Sequence, residues 1–257
     1  EILSTEVAFY MQEIIENVGG HYSSPLGVID LTIALHYIYD SPKDKLVWDV
    51  GHQSYAHKIL TGRREQFKKI RQKNGISGFL KREENIHDIF GAGHASTSIS
   101  AALGFAHARD RNKINEQIIA IIGDGAMTGG LAYEGINNLG YHSTQLTIVL
   151  NDNSHSISKS VGALSHYLTR ITTNPTYNRI RNDIWDISGK LPMSHYIRKF
   201  LRKTEEGIKG YLTPGALFEE FGLRYIGPID GHNMKELLYT FKAVKQMNTP
   251  VLVHVYT

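Results

Sequence analysis

Two apolar segments with one helix-length interval between them constrain the fold of this chain more than any other feature. Residues 118–122 and 146–150 each read as a buried strand, and the interval between them predicts a helix from Thr128 to about Leu139. The order strand, helix, strand predicts a β-α-β unit with parallel strands. Both strands then end at the same edge of the sheet, where open α/β sheets bind ligands.

Oxygen-bearing residues follow both predicted strands. Asp124 lies between Gly123 and Gly125, and Asn153 follows the second strand, 29 positions after Asp124. Magnesium prefers oxygen ligands and keeps phosphate oxygens and water among its six, so a few protein oxygens suffice. The glycines allow close approach of a phosphate to the backbone, and the helix starting near Thr128 would offer free N–H groups to the same anion. The sequence therefore predicts a site for a divalent metal and a diphosphate.

Two other glycine-rich phosphate loops do not match this segment. A dinucleotide fingerprint starting at Gly123 needs a third glycine where Thr128 stands, and the second strand ends in Asn151 instead of an acidic ribose ligand. A nucleotide P-loop needs Gly-Lys-Ser/Thr, but Leu131 follows the last glycine. The remaining alternative is an ordinary turn followed by a polar loop. The occurrence of both halves in one β-α-β unit argues against that alternative.

Along the rest of the chain, predicted helices and strands follow one another in turn. The strands are apolar runs in which polar and apolar residues hardly alternate. Such strands are buried on both faces, as in a parallel sheet covered by helices. We therefore predict an α/β fold with three α/β/α layers around a mostly parallel central sheet, forming one domain over residues 1–257. Residues 164–209 are polar and irregular, and we expect a mobile helical excursion there. The predicted strands are 46–50, 118–122, 146–150, 224–226 and 251–255, and the first two helices are 4–17 and 28–39.

Composition excludes several classes of protein. With 41% hydrophobic and 21% charged residues, the chain can bury one large core or two small ones. It has no cysteine for disulfides or thiolate metal sites, no apolar run of membrane-spanning length and no signal-peptide pattern at its start, so we expect a cytoplasmic protein without a membrane partner. The net charge is +3, and the basic stretch 179–209 carries no recognised nucleic-acid motif, so no nucleic-acid partner is predicted.

The Gly-Asp-Gly and Asn pair resembles the thiamine diphosphate motif. Further segments, in matching order, resemble the 1-deoxy-D-xylulose-5-phosphate synthase family. These segments are residues 49–63, 93–98, 151–158, 161–164, 202–206 and 227–232. The resemblance covers the chain from about residue 1 to residue 257. It is more specific than the metal motif, which transketolases and pyruvate dehydrogenase subunits share.

The resemblance implies a set of cofactor ligands. Magnesium would be bound by the side chains of Asp124 and Asn153 and by the backbone carbonyl of His155. The family usually has methionine where His155 stands, but a carbonyl ligand does not depend on its side chain. Gly125, Ala126 and Asn153 would also contact the diphosphate.

Two histidines are predicted to take part in the chemistry. His21 follows a glycine pair at the end of the first helix, and His52 lies just after a strand, which places both on loops at the ligand-binding edge. A histidine can donate, accept or move a proton near neutral pH, although an isolated histidine is more often structural. The resemblance implies that His21 assists substrate and proton handling and that His52 lies at the cofactor and the reacting atoms.

Another segment precedes an alanine-rich helix that is predicted to run to about Arg109. From the sequence alone, Ser96 or Thr97 would cap this helix. A capped helix start can also hold a phosphate, so capping and cofactor binding are compatible. The resemblance implies that the residues just before the cap contact the cofactor. These residues are Gly93, His94 and Ala95.

The implied cofactors are thiamine diphosphate and Mg²⁺, and the implied substrates are pyruvate and glyceraldehyde 3-phosphate. Pyruvate loses carbon dioxide and its remaining carbons join the aldehyde, which yields a precursor for isoprenoids, thiamine and pyridoxal. Family members are homodimers more than twice this length, and the glutamate that activates the cofactor lies in a pyrimidine-binding domain outside this chain. We therefore expect half of an active site, completed in cis or in trans and inactive alone. The alternatives are another transketolase-like enzyme and a non-catalytic remnant.

Overall fold

The computed structural model describes residues 1–153 and 215–257 together with Ala163 and Tyr167. Its centre is a five-stranded sheet in the order β1-β2-β3-β5-β4, in which every neighbouring pair is parallel. The strands are β1 (Lys45–Trp48), β2 (Ile118–Gly123), β3 (Thr147–Asp152), β4 (Arg224–Asp230) and β5 (Val251–Tyr256). Apart from Tyr167, the predicted excursion over residues 164–209 lies outside the described residues.

Helices cover both faces of the sheet because consecutive strand residues point to opposite sides and nearly all are buried. The helices are α1 (Ile2–Val18), α2 (Ser23–Gly27), α3 (Ile29–Ile38), α4 (Tyr55–Lys58), α5 (Arg64–Phe67), α6 (Ser98–Asn112), α7 (Asp124–Met127), α8 (Gly130–His142), α9 (Ala216–Glu220) and α10 (Met234–Val244). Helices α6, α8 and α9 pack on one face, and α3 and α10 on the other. The predicted three-layer α/β/α architecture is confirmed.

A third apolar cluster lies beside the sheet. It joins α1 to α4 and α5 through buried side chains such as Met11, Tyr55 and Phe67. A kink at Thr61 and Gly62, where Gly62 has φ 88°, separates α4 from α5. This side unit carries the loops that contain the two predicted catalytic histidines. None of the described helices combines the length and the hydropathy needed to cross a lipid bilayer.

The predicted strands start within one residue of the observed ones, but two local predictions need correction. The helix expected from Thr128 starts two residues later, as α8, and a separate short helix, α7, precedes it. Gly129 lies between the two with an extended backbone, and a Cβ there would collide with the Ser96 side chain. Strand β4 continues four residues beyond its predicted end, with irregular pairing between Ile226 and Ile229. Pro228 lies in that interval and has no N–H to donate to a ladder.

Candidate functional site

Strand register brings the two predicted metal-binding segments to one edge of the sheet. Gly123 on β2 is paired with Asn151 on β3, so Asp124 and Asn153 both follow directly after adjacent strands. Adjacent strands lie about 4.8 Å apart. The Asp124 side chain is buried and Asn153 is half-buried. This placement is compatible with a cation held between the two segments.

The donors at this edge are suited to a hard cation. Within residues 1–153 and 215–257, no group of three or more His, Cys, Asp or Glu side chains is arranged to hold a metal. The predicted set instead contains one carboxylate, one amide oxygen and the carbonyl of His155, which lies outside the described residues. Oxygen donors of this kind fit magnesium, whose remaining ligands are phosphate oxygens and water, and they do not resemble the nitrogen and sulfur sets of zinc.

The buried carboxylate of Asp49 connects the end of β1 to the segment 93–98. Its two oxygens accept hydrogen bonds from the backbone N–H groups of Ser96, at 2.7 Å, and Ser98, at 2.9 Å. The predicted capping of α6 by the side chain of Ser96 or Thr97 is therefore wrong, because neither side chain makes a cap hydrogen bond. Asp49 takes that role from 47 residues away along the chain.

The freed side chains of the 93–98 segment bind elsewhere. The Ser96 hydroxyl donates to the carbonyl oxygen of Ala126 at 2.6 Å, and the Thr97 hydroxyl donates to the carbonyl of His94 at 3.2 Å. Because the N–H groups of Ser96 and Ser98 already serve the Asp49 carboxylate, they cannot also bind a diphosphate. The predicted cofactor-contacting residues just before them are exposed to solvent. These residues are Gly93, His94 and Ala95.

The two predicted catalytic histidines lie together. The imidazole rings of His21 and His52 are 5.5 Å apart between centroids in an edge-to-face arrangement. The Tyr55 hydroxyl accepts a hydrogen bond from the His21 backbone N–H at 3.4 Å and lies 3.5 Å from its Nδ1. A Cβ added at Gly51 would be 2.9 Å from the Cβ of Ala92, so the His52 loop packs directly beside the 93–98 segment.

Burial makes both histidines poor cations. Burial, followed by the neighbouring His21, lowers the pKa of His52 to about 4. Burial and the charge of Arg71 also lower the pKa of His21 below its ordinary value. Both rings are therefore neutral near pH 7 and able to accept a proton. The Nδ1 atom of His52 is buried and has no hydrogen-bond partner among the described residues, so it is available to a ligand bound at this edge.

A second buried polar group, not predicted from the sequence, lies at the side unit. We call it the ion-pair cluster, and its five members are His57, Lys58, Arg63, Glu84 and Asp88. Lys58 pairs with Glu84 at 2.6 Å, and Arg63 pairs with Asp88 at 2.7 Å. The only sequence signal for it is a pair of basic residues in 57–63 and a pair of acidic residues in 84–88, with nothing to show that they meet.

The same arrangement of sheet, helices and edge loops occurs in transketolases. The transketolase of Campylobacter jejuni superimposes with a TM-score of 0.71 at 20% identity, covering 99% of this chain and 37% of that one. The transketolase of Leishmania mexicana superimposes with a TM-score of 0.65 at 16% identity, covering 99% and 36%. The fold is therefore that of the α/β domain of transketolase-like proteins.

The chain belongs to the 1-deoxy-D-xylulose-5-phosphate synthase family, whose sequence profile matches residues 1–257. It is 51% identical over 256 residues to the synthase of Halothermothrix orenii, covering 99% of this chain and 40% of that protein. It is 51% identical over 257 residues to 1-deoxy-D-xylulose-5-phosphate synthase 2 of Geobacter sulfurreducens, covering 100% and 41%. The chain thus spans about two fifths of the length of these relatives.

Proposed function

We propose that this chain holds the diphosphate and Mg²⁺ of thiamine diphosphate in a 1-deoxy-D-xylulose-5-phosphate synthase. The observation that carries the proposal is the strand register, which puts Asp124 and Asn153 at one sheet edge in a chain whose family is established. Oxygen donors and adjacent loops of small residues suit a magnesium diphosphate. The whole protein would condense pyruvate, with loss of carbon dioxide, and glyceraldehyde 3-phosphate.

Each predicted ligand has a defined task in this proposal. The carboxylate of Asp124, the amide oxygen of Asn153 and the backbone carbonyl of His155 would bind the metal. The backbone of Gly125 and Ala126 would approach the diphosphate. When bound, thiamine diphosphate supplies the nucleophilic carbon and the electron sink for decarboxylation and carbon–carbon bond formation.

The histidine pair would handle protons and orient substrate. His52, neutral and with its buried Nδ1 unpartnered among the described residues, can accept or share a proton at the reacting atoms. His21 stands beside it, and the Tyr55 hydroxyl restrains the position of His21. Because burial keeps both rings neutral, each retains a nitrogen lone pair that can accept a hydrogen bond, while burial lowers the basicity of both rings.

The active site proposed here has a second half. The pyrimidine-binding domain, its activating glutamate and the residues for substrate phosphate would lie in the remaining three fifths of the protein, in cis or in trans. We also propose that the complete protein is a cytoplasmic homodimer that supplies isoprenoid, thiamine and pyridoxal biosynthesis. The chain alone would bind cofactor weakly and would not turn over.

Titration calorimetry tests the proposal. Thiamine diphosphate, titrated into the native full-length protein in Mg²⁺ and again in EDTA, should bind only with the metal. Asp124→Asn should raise its Kd by about 100-fold, because loss of a group that merely supports a metal ligand already costs about 10- to 100-fold. The matched control is Asp230→Asn, which changes an aspartate at the end of another strand, and it should leave Kd unchanged. Metal-independent binding, or no binding, contradicts the proposal and favours a non-catalytic remnant.

Substrate choice is tested on the native full-length protein. Release of carbon dioxide from pyruvate, dependent on glyceraldehyde 3-phosphate, is the expected activity. Turnover of a ketose phosphate donor in place of pyruvate would instead identify a transketolase-like enzyme with a different reaction. Mass spectrometry of the product distinguishes the two outcomes.

A further inference from the structure

Asp49 connects three loops of the candidate site without being one of its predicted ligands. We propose that Asp49 is a positioning residue that holds the segment 93–98 against the loop after β2, so that the surface for the cofactor diphosphate is formed before the cofactor arrives. This inference rests on the proposed function. It adds a residue and a physical route by which the site is preorganised.

The first step is the rigidity of Asp49 itself. Its backbone N–H donates to the carbonyl of Ile121 at 2.8 Å, which holds it in line with the centre of the sheet. Directly after it the chain turns sharply, with Val50 at φ 58° and Gly51 at φ 86°. A β-branched residue rarely adopts a left-handed conformation, so the surrounding contacts must enforce this turn. The turn delivers His52 to the site.

The second step is the transfer of that rigidity to the 93–98 segment. Both carboxylate oxygens of Asp49 are used, one by the N–H of Ser96 and the other by the N–H of Ser98. Ser96 has φ 69°, a conformation that is uncommon for a residue with a side chain. Hydrogen bonds to a carboxylate are stronger than those between neutral groups, so Asp49 stabilises this backbone shape.

The third step reaches the loop that is predicted to contact the diphosphate. The Ser96 hydroxyl donates to the carbonyl of Ala126 at 2.6 Å. Gly129 lies so close to the Ser96 side chain that no larger residue fits there. The positions of Gly125 and Ala126 relative to the exposed segment before Ser96 are therefore set by one buried carboxylate and one hydroxyl.

The other end of β1 provides a matched control. Asp44 and Asp49 are both 4% exposed. Asp44 accepts backbone N–H bonds from Asp40 at 2.9 Å and from Gln117 at 2.8 Å, and it lies 3.5 Å from the Lys245 ammonium. The two carboxylates make the same kind of bonds, but Asp44 lies at the edge opposite to the site. A purely structural role would make the two aspartates equivalent.

The test measures the Kd of thiamine diphosphate in saturating Mg²⁺ and the unfolding of the cofactor-free protein, both on the native full-length protein. Asp49→Asn should raise Kd by about 10- to 100-fold, the usual effect of removing a group that orients a ligand-binding residue. Both variants should lower the unfolding midpoint by similar amounts. Asp44→Asn, however, should leave Kd within about twofold of the unmodified protein. Equal Kd values for the two variants would overturn the inference.

A second pair of variants covers the case in which Asp49→Asn does not fold. Ser96→Ala removes only the hydroxyl that bonds to Ala126 and should raise Kd about fivefold, in line with the loss of one neutral hydrogen bond. Ser100→Ala is the control, because the Ser100 hydroxyl donates to a carbonyl of α8, that of Leu131, at 3.4 Å and not to the loop after β2. Its Kd should not change. An unchanged Kd for Ser96→Ala would remove the link between the two loops.

The outcomes also separate this inference from the proposed function. If the unmodified protein binds no thiamine diphosphate, the proposed function fails. If the unmodified protein binds it and Asp124→Asn raises the Kd as predicted, but the Asp49 and Asp44 variants have equal Kd values, only the positioning role of Asp49 fails.

Discussion

The sheet edge and the ion-pair cluster both contain buried polar groups, but the partners of those groups differ. In the cluster, Lys58 is paired with Glu84, and Arg63 with Asp88. One backbone N–H group of the segment 77–81 donates a hydrogen bond to each carboxylate. At the sheet edge, the buried Nδ1 of His52 has no partner in the described part of the chain.

The difference lies in the charged partners, because three buried atoms of the cluster also lack a hydrogen bond among the described residues: Nε2 of His57, Nε of Arg63 and Oδ1 of Asp88. Opposite charges that pair with each other hold two chain segments together and leave little capacity for a ligand. A buried polar atom without a hydrogen-bond partner costs free energy unless a ligand, a water or an ion supplies the partner. The cluster still supports the site indirectly, because the segment it holds includes Phe79, whose ring centroid is 5.9 Å from that of His21.

The largest expected effect is on the cluster. Asp88→Ala should lower the free energy of unfolding by about 3 kcal/mol, because the buried Arg63 would lose its partner at 2.7 Å and retain Glu84 at 3.8 Å. Burial alone would raise the pKa of Asp88, but the contacts of His57 and Arg63 outweigh burial and hold that pKa well below its usual range. Urea unfolding measures the loss. Cofactor Kd in the folded variant should be nearly unchanged.

The control for this prediction is Glu65→Ala. Its partner Lys68 pairs with it at 2.6 Å, but both side chains are exposed, Lys68 to 56% and Glu65 to 75%. An exposed pair contributes little, so the loss should be far smaller than for Asp88→Ala. Equal losses for the two variants would mean that burial of the cluster contributes nothing special.

The second largest effect is expected at the sheet edge, where a substitution should reduce activity and leave stability nearly unchanged. His52→Ala should reduce kcat/KM of the full-length protein by about 100-fold or more, the range for loss of a general acid or base. Its free energy of unfolding should change by less than about 1 kcal/mol, because no side-chain hydrogen bond of Nδ1 within the described residues is lost. His107→Ala, at an exposed position on α6, is the control for activity. A large stability loss with intact activity would assign His52 to the structural group.

The third prediction concerns pH. The pKa of His52 is about 4 in the folded protein and about 6.5 when unfolded, so the unfolded state binds the proton more tightly. The neutral ring therefore favours folding above pH 6.5, and this contribution is lost as pH falls from about 6.5 to 4. Relative to His52→Gln, the unmodified protein should lose on the order of 1–2 kcal/mol across that window, after discounting for partial exposure. Parallel pH profiles in urea would contradict the depressed pKa.

The smallest expected effect concerns three side chains near the end of β3 that are linked by hydrogen bonds. The Tyr225 hydroxyl lies 2.7 Å from Nδ1 of the buried His254, whose Nε2 lies 3.0 Å from the Asp152 carboxylate. Tyr225→Phe should lower the free energy of unfolding by about 1 kcal/mol, the net value of one hydrogen bond. Tyr141→Phe, at an 84% exposed position, should have no effect. Calorimetric melting compares the two, and equal melting temperatures would argue against the bond.

The success of the strand predictions has a local cause. An uninterrupted apolar run such as 118–122 can be buried on both faces only inside a covered sheet, and a single helix between two such runs leaves little choice but a parallel crossover. The prediction of β4 was short because its pairing with β5 is interrupted after Ile226, around Pro228, and resumes at Ile229.

At the candidate site, the sequence by itself determined which residue types stand at the edge of the sheet, because motif spacing and strand order are properties of the linear chain. Only the tertiary structure decided which of these residues are fixed in position, and which distant side chains fix them through hydrogen bonds or ion pairs. The carboxylate of Asp49 reaches Ser96 across 47 positions, and the ion pairs of the cluster join residues 25 and 26 positions apart. Serine was the expected local cap for α6, and a distant aspartate replaced it because a buried charge needs several strong donors and the helix start supplied them.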